Sequence, residues 1–405
     1  MDTTHPHVRD LGETTVAPAH LSSASATPVS AIEHGLDWLR FTHPVTSHFA
    51  RLVRETDLRG KRIAGWMHLL PDTILTIMPF IEAGASFRVG ACNPDSTDPE
   101  VVAYLRAHGV EVFEGQPGEA YDATLRAFAS GPLDAICDMG GELIEAAVHQ
   151  GTMVAGALEA TTTGLHRLNR LELPFPVFDW NGISIKDALH NRYHVGEETW
   201  PAFSRITGLS LFDRTVLVVG FGPVGKGVAE RARAMGATVL VAEIDPVRSL
   251  EAGHFGCRVL PLADALSRAG VVVTATGLDG VLGKDALAHC RDGAVVFNVG
   301  HSNREIDVDW LNQHPHRTKV QHVEQYTLQD RDLYLLNRGS MVNLAHTTGF
   351  ASSESFDPFT AIMLAGLNWI LAGGAGCSSP GLQRYPRSLE QEVATFTLQS
   401  RAERC

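Results

Sequence analysis

The residues best suited to chemistry stand in one run. Val216-Leu217-Val218-Val219 reads as a buried strand, Gly220-Phe221-Gly222-Pro223-Val224-Gly225 spaces its glycines as G-x-G-x-x-G, and residues 228–235 read as a helix. A second apolar run, 238–242, ends in Glu243. Glycines at Gly220, Gly222 and Gly225 let the backbone approach a pyrophosphate at a helix N-terminus, where unpaired N–H groups point outward. A carboxylate at the end of the next strand receives ribose hydroxyls. Strand, glycines, helix, strand and acid in this order predict a dinucleotide site. Glu243 favours NAD over NADP, because a carboxylate repels a ribose phosphate. A βαβ unit with a tight turn and no ligand is the plainer alternative.

Short apolar runs alternate with helical patterns on both sides of this motif. Before it, strands are expected at 62–66, 86–91, 133–137, 153–157 and 176–179, with helices at about 71–83 and 98–108. A long polar helical stretch, 183–208, leads into the glycine strand. After it come runs at 258–261, 271–276 and 294–299, a hairpin over 323–336, an apolar helix at 361–371 that is either core or interface, and an amphipathic helix at 389–399. Alternation of this kind predicts an α/β protein of two doubly wound parallel-sheet domains, one a Rossmann NAD-binding domain. The expected division is a disordered tail over 1–34, a substrate-binding domain over 35–182 and 347–385, the NAD-binding domain over 183–346, and a C-terminal helix over 386–405. Hinges are expected near 181–190 and 343–350.

Composition narrows the partners. The chain has 405 residues and a net charge of −13, with no basic block, so neither nucleic acid nor an anionic membrane is an expected partner. Cys92, Cys137, Cys257, Cys290, Cys377 and Cys405 are scattered without a CxxC pair. That pattern fits reduced thiols in the cytoplasm and predicts no zinc site. The first residues are rich in Thr, Ser, Ala and Pro and lack the apolar core of a signal peptide.

Several further segments resemble the S-adenosylhomocysteine hydrolase family. They are Thr161-Thr162-Thr163-Gly164, Ser184-Ile185-Lys186, the glycine run, Ala242-Glu243-Ile244-Asp245-Pro246, Thr274-Ala275-Thr276-Gly277, Asn298-Val299-Gly300-His301 and Glu305-Ile306-Asp307-Val308-Asp309-Trp310-Leu311. The resemblance spans roughly residues 58 to 392. It implies an enzyme that keeps NAD tightly bound and regenerates it each cycle. Such an enzyme oxidises the 3′-hydroxyl of a nucleoside, so that the C4′ proton becomes acidic and the 5′ substituent is eliminated. Carried over residue by residue, Thr161, Thr162, Thr163, Thr276, Asn298 and Asn343 join the glycines and Glu243 as cofactor contacts. Lys186 is the expected base for the 3′-hydroxyl. His68 is expected to handle protons at the 5′ end, His301 and Asn191 are expected in the active site, and Asn181 matches a substrate position. A homo-oligomer, dimer or tetramer, is also implied.

The substrate half departs from the family. Met139 stands where a catalytic aspartate is expected, and strand alternation should turn the neighbouring Asp138 to the other face. Ala160 replaces a glutamate that holds ribose hydroxyls, and His190 replaces the aspartate that pairs with the lysine. Leu70 and Asp72 replace a threonine and an acid or amide in the nucleoside pocket, beside Thr73. Val195 replaces a cysteine, and Phe350 replaces a gating histidine. The chain also lacks the long C-terminal tail of some members. Lost carboxylates beside kept hydride machinery point to a purine nucleoside dehydratase of antibiotic-type metabolism, with Ala160 making room for a larger, ketohexose-derived sugar. Two other readings remain: a genuine hydrolase in which His190 or His346 compensates, and a non-catalytic NAD-binding regulator. A simple alcohol dehydrogenase is a remaining option.

Overall fold

The computed structural model describes residues 28–93, 96–114, 118–301, 303–345 and 353–403. Phe350, His346, Cys405 and residues 1–27 of the expected tail lie outside the described residues. A helix already runs over Pro28–Thr42, so positions 28–34, expected as tail, are helical.

Among the described residues, fifteen strands form two sheets. The first contains β1 (Arg62–Met67), β2 (Ser86–Ala91), β3 (Glu111–Phe113), β4 (Ala135–Asp138), β5 (Gly156–Glu159), β6 (Pro176–Asp179) and β15 (Gly381–Arg384). Its order is β15-β6-β5-β4-β1-β2-β3, and every pairing is parallel. The second contains β7 (Thr215–Val219), β8 (Thr238–Ala242), β9 (Arg258–Val259), β10 (Val271–Thr274), β11 (Ala294–Asn298), β12 (His316–Val320), β13 (Val323–Leu328) and β14 (Arg331–Leu336). Its order is β12-β13-β14-β11-β10-β7-β8-β9, parallel from β14 to β9 and antiparallel across the β12-β13-β14 edge.

The central strands of both sheets are apolar because both of their faces are covered, whereas the edge strand β12 is polar and exposed. In β1, Ile63 and Met67 enter one core and Ala64 and Trp66 the other. In β7, Val216 and Val218 face one way and Leu217 and Val219 the other. Such strands carry no polar alternation, so they appear in sequence as short continuous apolar runs.

The chain returns to the first domain after building the second. Helix Ser353–Leu371 buries Ile362, Leu364 and Leu367 in the first core. Its Asp357 carboxylate accepts from the N–H groups of Val45, at 3.1 Å, and Thr46, at 2.6 Å. These are the free donors at the start of helix Pro44–Arg54, which an anion satisfies well. Strand β15 then pairs with β6, and helix Arg387–Ala402 buries Val393 in the same core. The C-terminal helix therefore belongs to the first domain. The long helical stretch before β7 begins as a π-helix, Ile185–His194, and continues as the α-helix Val195–Thr207, which Gly208 ends at φ +69°.

Candidate active site

The carboxyl ends of both sheets open on one cavity of about 480 Å³. The first sheet contributes His68 after β1, Met139 after β4, Ala160 to Thr163 after β5, and Trp180 and Asn181 after β6. The second contributes Gly220 and Gly222 after β7, Glu243 after β8, Thr276 and Gly277 after β10, and His301 after β11. Parallel sheets bind ligands at this edge, where strand order reverses. The reversals fall between β1 and β4 and between β7 and β10. The Thr163 hydroxyl donates to the Gly277 carbonyl at 3.0 Å and ties the two domains across the cleft.

The glycine turn is built for close approach. Gly220 has φ +92°, a left-handed conformation that favours glycine. A Cβ on Gly225 would lie 2.0 Å from the Gly220 carbonyl oxygen. Glu243 holds this turn, accepting from the N–H of Phe221 at 2.6 Å, Ile244 at 2.7 Å and Asp245 at 2.9 Å. A carboxylate has about four acceptor positions, so capacity for a ribose hydroxyl remains. Asn343 lines the cavity with a buried Oδ1 that has no hydrogen-bond partner among the described residues. An open glycine turn, a carboxylate at the next strand end and an unmatched amide oxygen fit a nicotinamide dinucleotide.

Two expected cofactor contacts are also tied into the protein itself. Asn298 is fully buried behind the wall. Its amide is used by the Thr274 hydroxyl at 3.0 Å, the Gly300 N–H at 2.7 Å and the Gly300 carbonyl at 2.9 Å. It braces the turn that presents His301. Thr276 lines the cavity, but its hydroxyl donates to the buried Glu305 at 2.7 Å. Thr161 and Thr73 likewise line the cavity while serving the backbone. Thr161 caps helix Thr162–Leu168 by accepting from the Gly164 N–H at 2.9 Å, and the Thr73 hydroxyl donates to the His68 carbonyl at 2.8 Å. Asn181 donates to the Thr162 hydroxyl at 3.1 Å. Leu70 and Asp72 both reach the cavity, and burial pushes the Asp72 carboxyl up to about 6.

The π-helix explains how the proton-transfer residues converge. Hydrogen bonds from i to i+5 widen the turn. Lys186, His190, Asn191 and Val195 therefore share the face that lines the cavity. The Lys186 ammonium sits 4.4 Å from the centre of the Phe359 ring. Burial lowers its pKa to about 7, and nearby Asp187 opposes the shift. His190 is buried and stacks on the same ring, with centroids 4.8 Å apart and planes at 19°. Across the cavity, His68 and His301 lie with ring centroids 5.7 Å apart. Burial first, then the positive charge of neighbours, lowers His68 to about 3 and His301 to about 4. Both rings are neutral at neutral pH. The Nδ1 of His68 pairs with the Ser96 hydroxyl at 2.6 Å, which leaves Nε2 for a ligand.

The substrate wall is a row across adjacent strands. Asp138 pairs in register with Glu159, and Glu159 with Asp179. The ladder runs one residue further: the Ala160 N–H donates to the Asp138 carbonyl at 3.1 Å and the Trp180 N–H to the Glu159 carbonyl at 3.2 Å. Met139, Ala160 and Trp180 thus stand side by side on the cavity edge. Phe356, Phe359 and Met363, from one face of helix Ser353–Leu371, line the same cavity. Sequence reasoning missed these aromatic residues and Ser96, because a core face and a cavity face have the same spacing.

Asp138 faces away from the cavity, as strand alternation requires. Its Oδ2 accepts from the Ile144 N–H at 2.8 Å, while among the described residues Oδ1 has no partner and Glu159 Oε2 is likewise unmatched. Both carboxyls are fully buried, and burial raises both: Asp138 to about 7, with the nearby Glu142 charge adding to it, and Glu159 with the Asp138 charge adding to it. In the unfolded chain carboxyls ionise near pH 4. The folded state therefore holds the extra proton between about pH 4 and 7, and this contribution to stability falls as pH rises through that window. Asp138→Asn supplies a permanent donor. Its melting temperature is expected to change less between pH 5 and 8 than that of the wild type; an unchanged slope contradicts proton uptake at Asp138.

Two doubly wound domains enclosing a glycine-turn cradle and a buried lysine define an NAD-dependent α/β enzyme. The chain belongs to the S-adenosyl-L-homocysteine hydrolase family: residues 45–155 match that family and residues 191–349 match its NAD binding domain. It is 33% identical over 382 residues to the S-inosyl-L-homocysteine hydrolase of Methanopyrus kandleri, spanning 90% of this chain and 89% of the relative. It is 32% identical over 382 residues to the adenosylhomocysteinase of Thermococcus kodakarensis, spanning 91% and 90%. With the adenosylhomocysteinase of Aeropyrum pernix the identity is 33% over 380 residues, spanning 90% and 91%. Among the described residues, no helix is long and apolar enough to cross a membrane, and no group of three or more His, Cys, Asp or Glu could hold a metal ion.

Proposed function

We propose that the chain is a purine nucleoside dehydratase. It oxidises a sugar hydroxyl transiently, removes the C4′ proton and expels water from C5′. The observation that carries this reading is the contrast between the two sides of one cavity. Lys186, His68 and His301 are kept, while the positions where the family places ribose-binding and catalytic carboxylates are Met139 and Ala160 in an apolar row.

NAD, when bound, supplies the acceptor for the sugar hydride and its later return. The protein moves the protons. Lys186, held near neutrality by burial, takes the hydroxyl proton as the sugar carbon becomes a carbonyl. That carbonyl stabilises the carbanion left when C4′ loses its proton. His68 or His301 is neutral and free to accept this proton. Once protonated, an imidazole of such low pKa is a strong acid. It returns the proton to the departing C5′ oxygen, so that water leaves and the 4′,5′-alkene forms. Lys186 gives its proton back as the carbonyl becomes a hydroxyl again.

Thioether hydrolysis is the second reading, favoured by what the relatives' names say they act on. The test is mass spectrometry of products after incubating the NAD-loaded protein with S-adenosylhomocysteine, adenosine and hexulosyl purine nucleosides in separate reactions. Loss of water from a nucleoside is expected. Release of homocysteine establishes hydrolysis instead, and no product from any of them overturns both.

A further inference from the structure

Trp180 carries a polar atom that the protein leaves unmatched. Three tryptophans are completely buried: Trp66, Trp180 and Trp200. The Trp66 indole N–H donates to the Tyr121 hydroxyl at 2.9 Å, and that of Trp200 to the Val228 carbonyl at 3.0 Å. Buried indoles ordinarily find such a partner. The Nε1 of Trp180 has none among the described residues, although its ring lines the central cavity. The ring is also held firmly, stacked on Phe359 with centroids 4.8 Å apart and planes at 5°.

Its position gives the orphan donor a meaning. Trp180 stands next to Ala160 in the lateral row, because Glu159 and Asp179 pair in register one residue earlier. Neighbouring strands lie about 4.8 Å apart. The space over the small Ala160 side chain therefore borders the indole. A carboxylate in this row would accept protons from sugar hydroxyls. An indole N–H only donates, and it demands an oxygen that accepts.

We infer that Trp180 is a specificity-determining donor for an oxygen carried on an extra carbon of the sugar, which occupies the space over Ala160. The substrate class is a purine nucleoside branched with a hydroxymethyl group. This assignment rests on the nucleoside reading above and deepens it.

Calorimetry on the NAD-loaded, full-length protein tests it with three probes: adenosine, 9-psicofuranosyladenine, which bears a hydroxymethyl group at the anomeric carbon, and the analogue bearing methyl there. The wild type is expected to bind the hydroxymethyl compound about 10-fold or more tighter than the methyl analogue, as loss of a buried hydrogen bond predicts. Trp180→Phe, which keeps an aromatic ring and removes the donor, is expected to bring the two within about 2-fold. Ala160→Glu is expected to favour adenosine over both. Equal binding of the hydroxymethyl and methyl compounds by the wild type overturns the assignment without recourse to any variant. So does a preference that survives in Trp180→Phe. Failure of all three probes to bind the wild type overturns the nucleoside reading itself and this inference with it.

Discussion

Lys186→Arg is expected to abolish turnover while leaving the fold and the bound cofactor in place. Burial brings the Lys186 amine to about 7, so a large fraction is neutral at neutral pH and can accept a proton. An arginine keeps the positive charge but stays protonated at every accessible pH. Loss of a positioned base costs on the order of 10²–10⁴-fold in rate. In the wild type, kcat/KM should rise with pH through about 7 and then level off, because the base must first lose its proton. Single-turnover formation of reduced nicotinamide reads both effects. An active Lys186→Arg variant, or a rate that falls between pH 6 and 8, removes Lys186 from the role of base.

Gly227→Ala is expected to damage the cofactor turn and the lysine together. Helix Pro223–Ala234, which follows the glycine turn, lies against the π-helix. A Cβ on Gly227 would fall 1.6 Å from the Arg192 carbonyl oxygen, which belongs to the π-helix. One on Gly196 would fall 2.5 Å from the Gly227 carbonyl carbon. No side-chain rotation relieves an overlap between two backbones, so the helices must part. Overpacking of this kind destabilises by about 1–3 kcal/mol. A shift of about 1 Å in the helix that carries Lys186 costs roughly 10²-fold in rate. The control is Gly253→Ala, in helix Pro246–His254, where an added Cβ meets nothing within 4 Å. That change should leave activity intact. Thermal unfolding, retained NAD and turnover measured on both variants check the prediction; a fully active Gly227→Ala contradicts it.

These two residues show what was legible in the sequence. The glycine turn and its strands stood out because a parallel sheet needs continuous apolar runs and a pyrophosphate cradle needs glycine at fixed spacing. Asp138 was placed on the far face by alternation alone, and it lies there, bonded to the Ile144 N–H. Gly227 sat in the same run, yet nothing local marks it as the contact between two helices. The π-helix was illegible as well: its residues read as polar helix, and only the wider turn brings Lys186, His190 and Val195 to one face. Asn298 shows the limit of a motif, since the motif spacing sets it beside the cavity while its amide bonds to Thr274 and Gly300. The pairing of Trp180 with Phe359 joins residues far apart in the chain, which no local pattern encodes. It exists because the chain returns to the first domain after building the second.

The central claim is transient oxidation of a nucleoside sugar followed by loss of the C4′ proton. The most direct measurement is deuterium uptake from heavy water by 9-psicofuranosyladenine incubated with the NAD-loaded protein, with the position of the label located by mass spectrometry and proton NMR. Label is expected at C5′ of the recovered psicofuranosyl nucleoside, the carbon equivalent to ribose C4′, together with an alkene product lighter by one water. Recovered nucleoside without label at that carbon, and no reduced nicotinamide formed in a single turnover, would contradict it.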